Sequence, residues 1–243
     1  MPPLPFSLPE AVLILGITTL GAAIQSAAGF GMGMLSAPFL LLIYAPLIPG
    51  PLMASSLALT ALVVHRDRAH VDLKGVGLAL TGRVVGIVVA AAFLLVASQP
   101  MFDVVFAGLV LLAVLLSAVG FDVHPTRTTT IFAGSLSGLM GTISSIGGPP
   151  MALLYQRSAG ARLRGTLGGY FAVGTSLSVL ALALVGRYGF DEILLTLFLI
   201  PAMVLGFIIA APVRHLLPDR AVRPLVLVLS AISGLLVLLR ALR

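Results

Sequence analysis

The chain has 243 residues, 59% of them hydrophobic and only 9% charged, and its mean hydropathy is +1.17. Soluble domains carry about 25% charged residues, so soluble enzymes, nucleic-acid binders and secreted disulfide scaffolds are excluded and the chain reads as a multi-pass membrane protein. The net charge of +6 does not change this, because the fourteen Lys and Arg are spread between apolar runs, as membrane topology requires, rather than gathered on a nucleic-acid face. With no cysteine, disulfides, thiolate chemistry and Cys-based metal sites are absent as well.

Residues 1–9 contain no Lys or Arg, so they lack the basic start of a cleavable signal, and the first apolar segment is expected to remain in the mature protein. Apolar stretches follow at 10–46, 50–65, 75–97, 101–121, 128–156, 165–186, 192–213 and 219–240. A crossing takes about 20 residues, which makes 10–46 and 128–156 too long for one. Each carries a glycine break, Ala28-Gly29-Phe30-Gly31-Met32-Gly33 in the first and Ser144-Ser145-Ile146-Gly147-Gly148-Pro149-Pro150 in the second. In lipid a helix is interrupted only where protein or a polar cavity satisfies the freed backbone groups.

The two breaks sit at matching places of an internal repeat. Gly21, Gln25 and Gly31 align with Gly138, Thr142 and Gly148 at an offset of 117 residues, Gly86–Ala91 with Gly206–Ala211 at 120, and Gln99-Pro100 with Leu217-Pro218 at 118. The join falls near Phe121–Arg127, dividing one integrated membrane domain into halves 1–121 and 122–243. Charge counting then separates two topologies. If each broken segment crosses once, the loop Lys and Arg divide seven to six; if each enters and leaves on one side, they divide ten to three. The positive-inside rule favours the second arrangement, with Arg187, Arg240, Arg243 and both termini on the non-cytoplasmic side. Each half then holds one hairpin and three crossings, so the second is inverted. The expected fold is all-α and polytopic, with two inverted repeats, each a broken, re-entrant helical hairpin plus three transmembrane helices.

A helix that starts at a hairpin tip exposes free N–H groups and the positive end of its dipole. Two such starts meeting at the membrane midplane make an anion site. The candidate substrate-binding residues are Gln25, Ser26, Gly29, Phe30, Gly31 and Gly33 at the first tip and Ser144, Ser145, Gly147, Gly148 and Pro149 at the second. Pro149 and Pro150 suit a first helical turn but subtract two donors, so the second tip is expected to be the weaker anion binder unless Ser144 and Ser145 compensate. The competing reading, close packing through small residues, is preferred for Gly82/Gly86 and Gly134/Gly138. Arg83 is the remaining candidate: it lies inside an apolar segment, about 12 Å from its start, where a charge by default marks function. Snorkelling toward the helix start is the alternative. The four His residues fall at segment ends or in loops without metal spacing, and no P-loop, nucleophile elbow or paired buried carboxylates occur, so neither an enzyme, a metal nor a cofactor is expected.

The Gly29-Phe30-Gly31-Met32-Gly33 run followed by Pro38, the Gly138-Leu139-Met140-Gly141 segment leading to Gly147-Gly148-Pro149-Pro150, and the two-half layout resemble the sulfite exporter TauE/SafE family, also called the toluene sulfonate uptake permease family. Phe30 and Met32 interrupt what is usually a run of adjacent glycines there. The resemblance implies a secondary carrier, commonly an exporter, for sulfite, an organosulfonate or a related sulfur oxyanion in the inner (plasma) membrane. The alternatives carried beside it are an anion channel and an uptake permease for another small organic anion. The expected partners are the anionic substrate and the lipid bilayer, with a homodimer left open and no nucleic acid. No Asp or Glu lies in the middle of an apolar segment, so export is expected to run on substrate gradient and membrane potential, which contributes about 2.3 kcal/mol per charge per 100 mV, without a coupling ion.

Overall fold

The computed structural model describes residues 5–119, 123–158, 160–213 and 219–241, with side chains described outside 213–225. Among these, ten α-helices and two short 3-10 turns account for nearly everything. The helices are α1 (Leu8–Ala28), α2 (Met32–Ile43), α3 (Gly50–Asp67), α4 (Leu73–Val96), α5 (Gln99–Val119), α6 (Arg127–Ser144), α7 (Gly148–Tyr155), α8 (Gly160–Leu184), α9 (Phe190–Val213) and α10 (Asp219–Ala241). Five of them, α1, α4, α5, α8 and α9, are long and apolar enough to cross a bilayer. Phe121, Arg214, His215, Leu217-Pro218 and Arg243, and the side chains of Arg220 and Arg223, lie outside the described residues.

Both long apolar stretches are broken at their glycine segments. Helix α1 stops at Gly29, whose φ of +91° is reached without strain because no Cβ is present, and whose N–H bonds the Gln25 carbonyl at 2.7 Å. Gly31, at φ +117°, starts α2. Helix α6 ends at Ser145, φ +62°, a left-handed conformation that costs a side-chain-bearing residue about 1–2 kcal/mol. Its hydroxyl donates to the Pro49 carbonyl at 2.9 Å and pins the turn to the start of α3. At 1.5 Å per residue the long arms α1 and α6 run about 31 and 27 Å, and the return arms α2 and α7 about 18 and 12 Å.

Helix α4 lies on α6 along a seam of glycines. A Cβ at Gly82 or Gly86 would overlap the Ile131 or Ser135 carbonyl, and one at Gly134 the Ala79 carbonyl, so these residues serve close backbone approach. Gly206 does the same where α9 meets α1: a Cβ there would stand 2.6 Å from the Ala22 Cβ. Helix α3 packs on α8 and α9, α4 also on α8, and α10 on α5 and α2. Pro38 cannot bond the Met34 carbonyl one turn earlier in α2; the Ser230 hydroxyl of α10 lies 2.8 Å from that oxygen and shares its hydrogen between it and the Val226 carbonyl at 2.6 Å.

Helix α3 falls outside the apolar class, and its environment explains why. It is buried from Gly50 to Ser56 and again at Leu59, Thr60, Val63 and Asp67, so it has little lipid-facing surface to fill. The Ser55, Ser56 and Thr60 hydroxyls donate back to the Leu52, Met53 and Leu57 carbonyls. Outward apolar side chains cluster instead on the outer helices, among them Val84, Val85, Val88 and Val89 of α4 and Leu205, Ile208 and Ile209 of α9.

Candidate functional site

The two breaks meet. A Cβ at Gly148 would stand 2.8 Å from the Phe30 Cβ, and one at Gly33 would overlap the Ser145 carbonyl, so both positions need glycine for the tips to touch. Across the second break the Ser137 hydroxyl donates to the Gly147 carbonyl, which ties α6 to the start of α7. The tips line a small cavity of about 40 Å³, room for about three waters. Its walls are the first turns of α2 (Gly31–Met34) and α7 (Gly147–Pro149), with Gln25 from α1, Ser56 from α3, Thr175 from α8 and Arg83 from α4.

Arg83 is the dominant feature of that wall. It lies ten residues into α4, about 15 Å along the helix, and is 1% exposed while its neighbours Val84 and Val85 face outward at 48% and 58%. Its side chain turns inward rather than running to the helix end, so the snorkelling alternative is not what the structure adopts. The guanidinium carbon sits 4.8 Å from the Tyr170 ring centroid and 5.9 Å from that of Phe171. Nη2 reaches the Ser178 hydroxyl at a long 3.4 Å, while Nε and Nη1 have no protein hydrogen-bond partner. An aromatic face contributes about 2 kcal/mol to a desolvated cation. Burying an unpaired charge costs several, so the ring alone does not balance it.

The sequence candidates divide. Gln25, Gly31, Gly33, Arg83, Ser145, Gly147, Gly148 and Pro149 line the cavity. Phe30 stands beside it, packed on Gly148, and lines a mostly apolar, partly open pocket of about 210 Å³ with Leu153, Gln156 and Leu163 that shares Gly31, Met34 and Pro149 with the cavity. Ser26 is engaged elsewhere: its hydroxyl and carbonyl accept from Arg66 at 3.2 and 2.9 Å. That guanidinium covers the carbonyl end of α1. Gly29 abuts Arg164, whose Cα would be 3.2 Å from an added Cβ. Ser144 donates to the Met140 carbonyl of its own helix at 2.7 Å. The hydroxyl donors of Ser144 and Ser145 are thus both spent on backbone carbonyls, and neither replaces the N–H groups that Pro149 and Pro150 lack.

Sequence reasoning missed the α8 face that holds Arg83. Tyr170, Gly174 and Ser178 recur at four-residue intervals, one above the other on a helix. The Tyr170 hydroxyl donates to the Gly134 carbonyl at 3.2 Å, and Ser178 accepts from Thr142 at 2.9 Å while donating to the Gly174 carbonyl at 3.0 Å. A Cβ at Gly174 would overlap the Arg83 side chain. That spacing is the signal a reading of the chain had available.

Charged residues gather at the helix ends. Asp67, at the end of α3, pairs with Arg66 at 3.0 Å and with Arg164 of α8 at 3.1 Å. Asp72 caps α4 through the Gly75 N–H at 3.0 Å and accepts from Arg162 and from Tyr155 of α7, each at 3.3 Å. At the opposite end of α4, Arg187 donates to the Leu94 carbonyl at 2.9 Å. Among the described residues no cluster of His and carboxylates is arranged to hold a metal. No curated protein and no solved structure matches the chain. Residues 13–237 match the family described as sulfite exporter TauE/SafE. A match over nearly the whole length of an all-helical chain with five apolar spans shows that this protein belongs to that family of membrane transporters and is not an enzyme.

Proposed function

We propose that the protein is a secondary carrier that exports a small sulfur oxyanion such as sulfite, bound between the two broken helices against Arg83. The observation that carries this reading is the Arg83 guanidinium, fully buried, lining the cavity and without a carboxylate or hydrogen-bond partner for Nε and Nη1. The free N–H ends of α2 and α7 add to the same sign of potential. Organosulfonates, with the same anionic head, are the wider substrate class.

The packing supports an inverted two-fold repeat of 1–121 and 122–243. Helix α1 meets α9 as α6 meets α4, α3 pairs with α8, and α5 pairs with α10, which is what exchanging the halves would produce. The aligned Gly86 and Gly206 occupy those two equivalent seams. The end of the molecule where Asp67 meets Arg164 and Asp72 meets Arg162 is then cytoplasmic, and the Arg187 end lies outside with both termini, in the plasma membrane. No coupling ion is invoked.

The test is sulfite efflux and counterflow from proteoliposomes. The wild type is expected to show saturable transport, Arg83→Gln to lose at least about tenfold, and Arg83→Lys, a point charge without the planar fork, to retain part of it. Each variant is checked for a monodisperse profile in detergent. Folded Arg83→Gln that transports at the wild-type rate overturns the assignment.

A further inference from the structure

We infer that the cavity discriminates by charge and takes monovalent oxyanions in preference to divalent ones. This rests on the anion-site reading above and sharpens its substrate class. Arg83 is the one formally charged side chain lining the cavity among the described residues. The elements packed around it bring no second charge to that wall. Tyr170 is the titratable group that faces the guanidinium, and the ionic residues of those helices (Glu10, Arg66, Asp67, Arg127, Arg162 and Arg164) sit in terminal turns.

A monoanion seated there balances the formal charge of Arg83, whereas a dianion leaves one formal negative charge to be met by helix-end dipoles and neutral polar groups alone. On the α7 side of the cavity, donors for that extra charge are few. Pro149 and Pro150 remove two N–H groups from the first turn of α7, and the nearest hydroxyl of that tip, on Ser145, donates to the Pro49 carbonyl. For sulfite, which changes from singly to doubly charged near neutrality, the protonated bisulfite form is therefore the one recognised.

Calorimetric titration of the purified full-length protein with methanesulfonate and sulfate separates charge from shape, since both are compact tetrahedral anions. Methanesulfonate is expected to bind at least about tenfold more tightly than sulfate. Sulfite affinity is expected to fall between about pH 6 and about pH 8.5 while that of methanesulfonate stays level, because the ligand and not the site changes protonation. Sulfate binding as tightly as methanesulfonate, or sulfite binding more tightly at the higher pH, with both lost in Arg83→Gln, overturns charge selection and leaves the anion site standing. Binding unchanged in Arg83→Gln, or no anion binding to the wild type, overturns the site and the selection together.

Discussion

At the scale of single residues, the position of one guanidinium organises the site, and a glycine on a neighbouring helix sets that position. Gly174 lets Arg83 lie flat against α8, because an added Cβ would come within 2.6 Å of the guanidinium carbon. Gly174→Ala is therefore expected to weaken sulfite binding about tenfold while changing thermal unfolding in detergent far less; a displaced charged group in a small cavity loses geometry before the fold loses packing. Gly77→Ala, where an added Cβ meets nothing within 4 Å, is the control for both readouts. Wild-type affinity in Gly174→Ala would show that the placement of Arg83 is immaterial. Arg83 itself was legible from depth alone, as a cation in an apolar run. Tyr170 and Ser178 were not, because an aromatic and a serine in a membrane helix acquire meaning only when the partner across α4 and α8 is known.

At the scale of elements, the breaks were legible because glycine and proline leave few backbone alternatives in lipid. The tasks of Ser26, Ser144 and Ser145 were not. Each hydroxyl lies near a tip, yet they bond Arg66, the Met140 carbonyl and the Pro49 carbonyl, a division that local sequence does not encode. Asp72 illustrates how the short arm α7 is anchored. Its carboxylate caps α4 and accepts from Tyr155, the last residue of α7, while its own N–H donates to Thr166 of α8. The Gly75 N–H holds the Asp72 carboxyl below the usual carboxylate range; burial pushes it up, and Arg162 and Tyr155 add smaller pulls downward. A carboxyl lowered by folding contributes stability above its unfolded pKa and loses it as pH falls through the folded value. Asp72→Ala is expected to cost about 1 kcal/mol of stability at neutral pH, the usual worth of a helix cap. That difference from wild type should shrink below about pH 4. Circular dichroism melts in detergent at both pH values measure it, and a difference that stays constant with pH contradicts the cap.

At the scale of the whole molecule, the helical segments were legible from the charge-punctuated apolar stretches and their two glycine breaks. The pairing of α1 with α9 and of α6 with α4 needed the third dimension, since glycine alignments mark repeated positions without saying what each one touches. The absence of cysteine makes the proposed orientation directly measurable: single cysteines can be placed without first removing any. In intact cells Arg187→Cys is expected to react with a membrane-impermeant maleimide, whereas Arg68→Cys reacts only after the membrane is opened. Labelling of both from outside would refute the ten-to-three topology.

The burial of α3 has a consequence for how the protein is made. Its hydroxyl-bearing, weakly apolar surface is comfortable against α8 and α9, but α8 begins some ninety residues after α3 ends. At about 5–20 residues per second, the ribosome leaves α3 without its cover for roughly 5 to 20 s. During that interval the nascent helix has little hydrophobic reason to leave the insertion machinery for lipid, so its final placement waits on the second half of the chain. Synthesis order and architecture are thereby coupled: the first half does not complete its own interior until the other half has been translated.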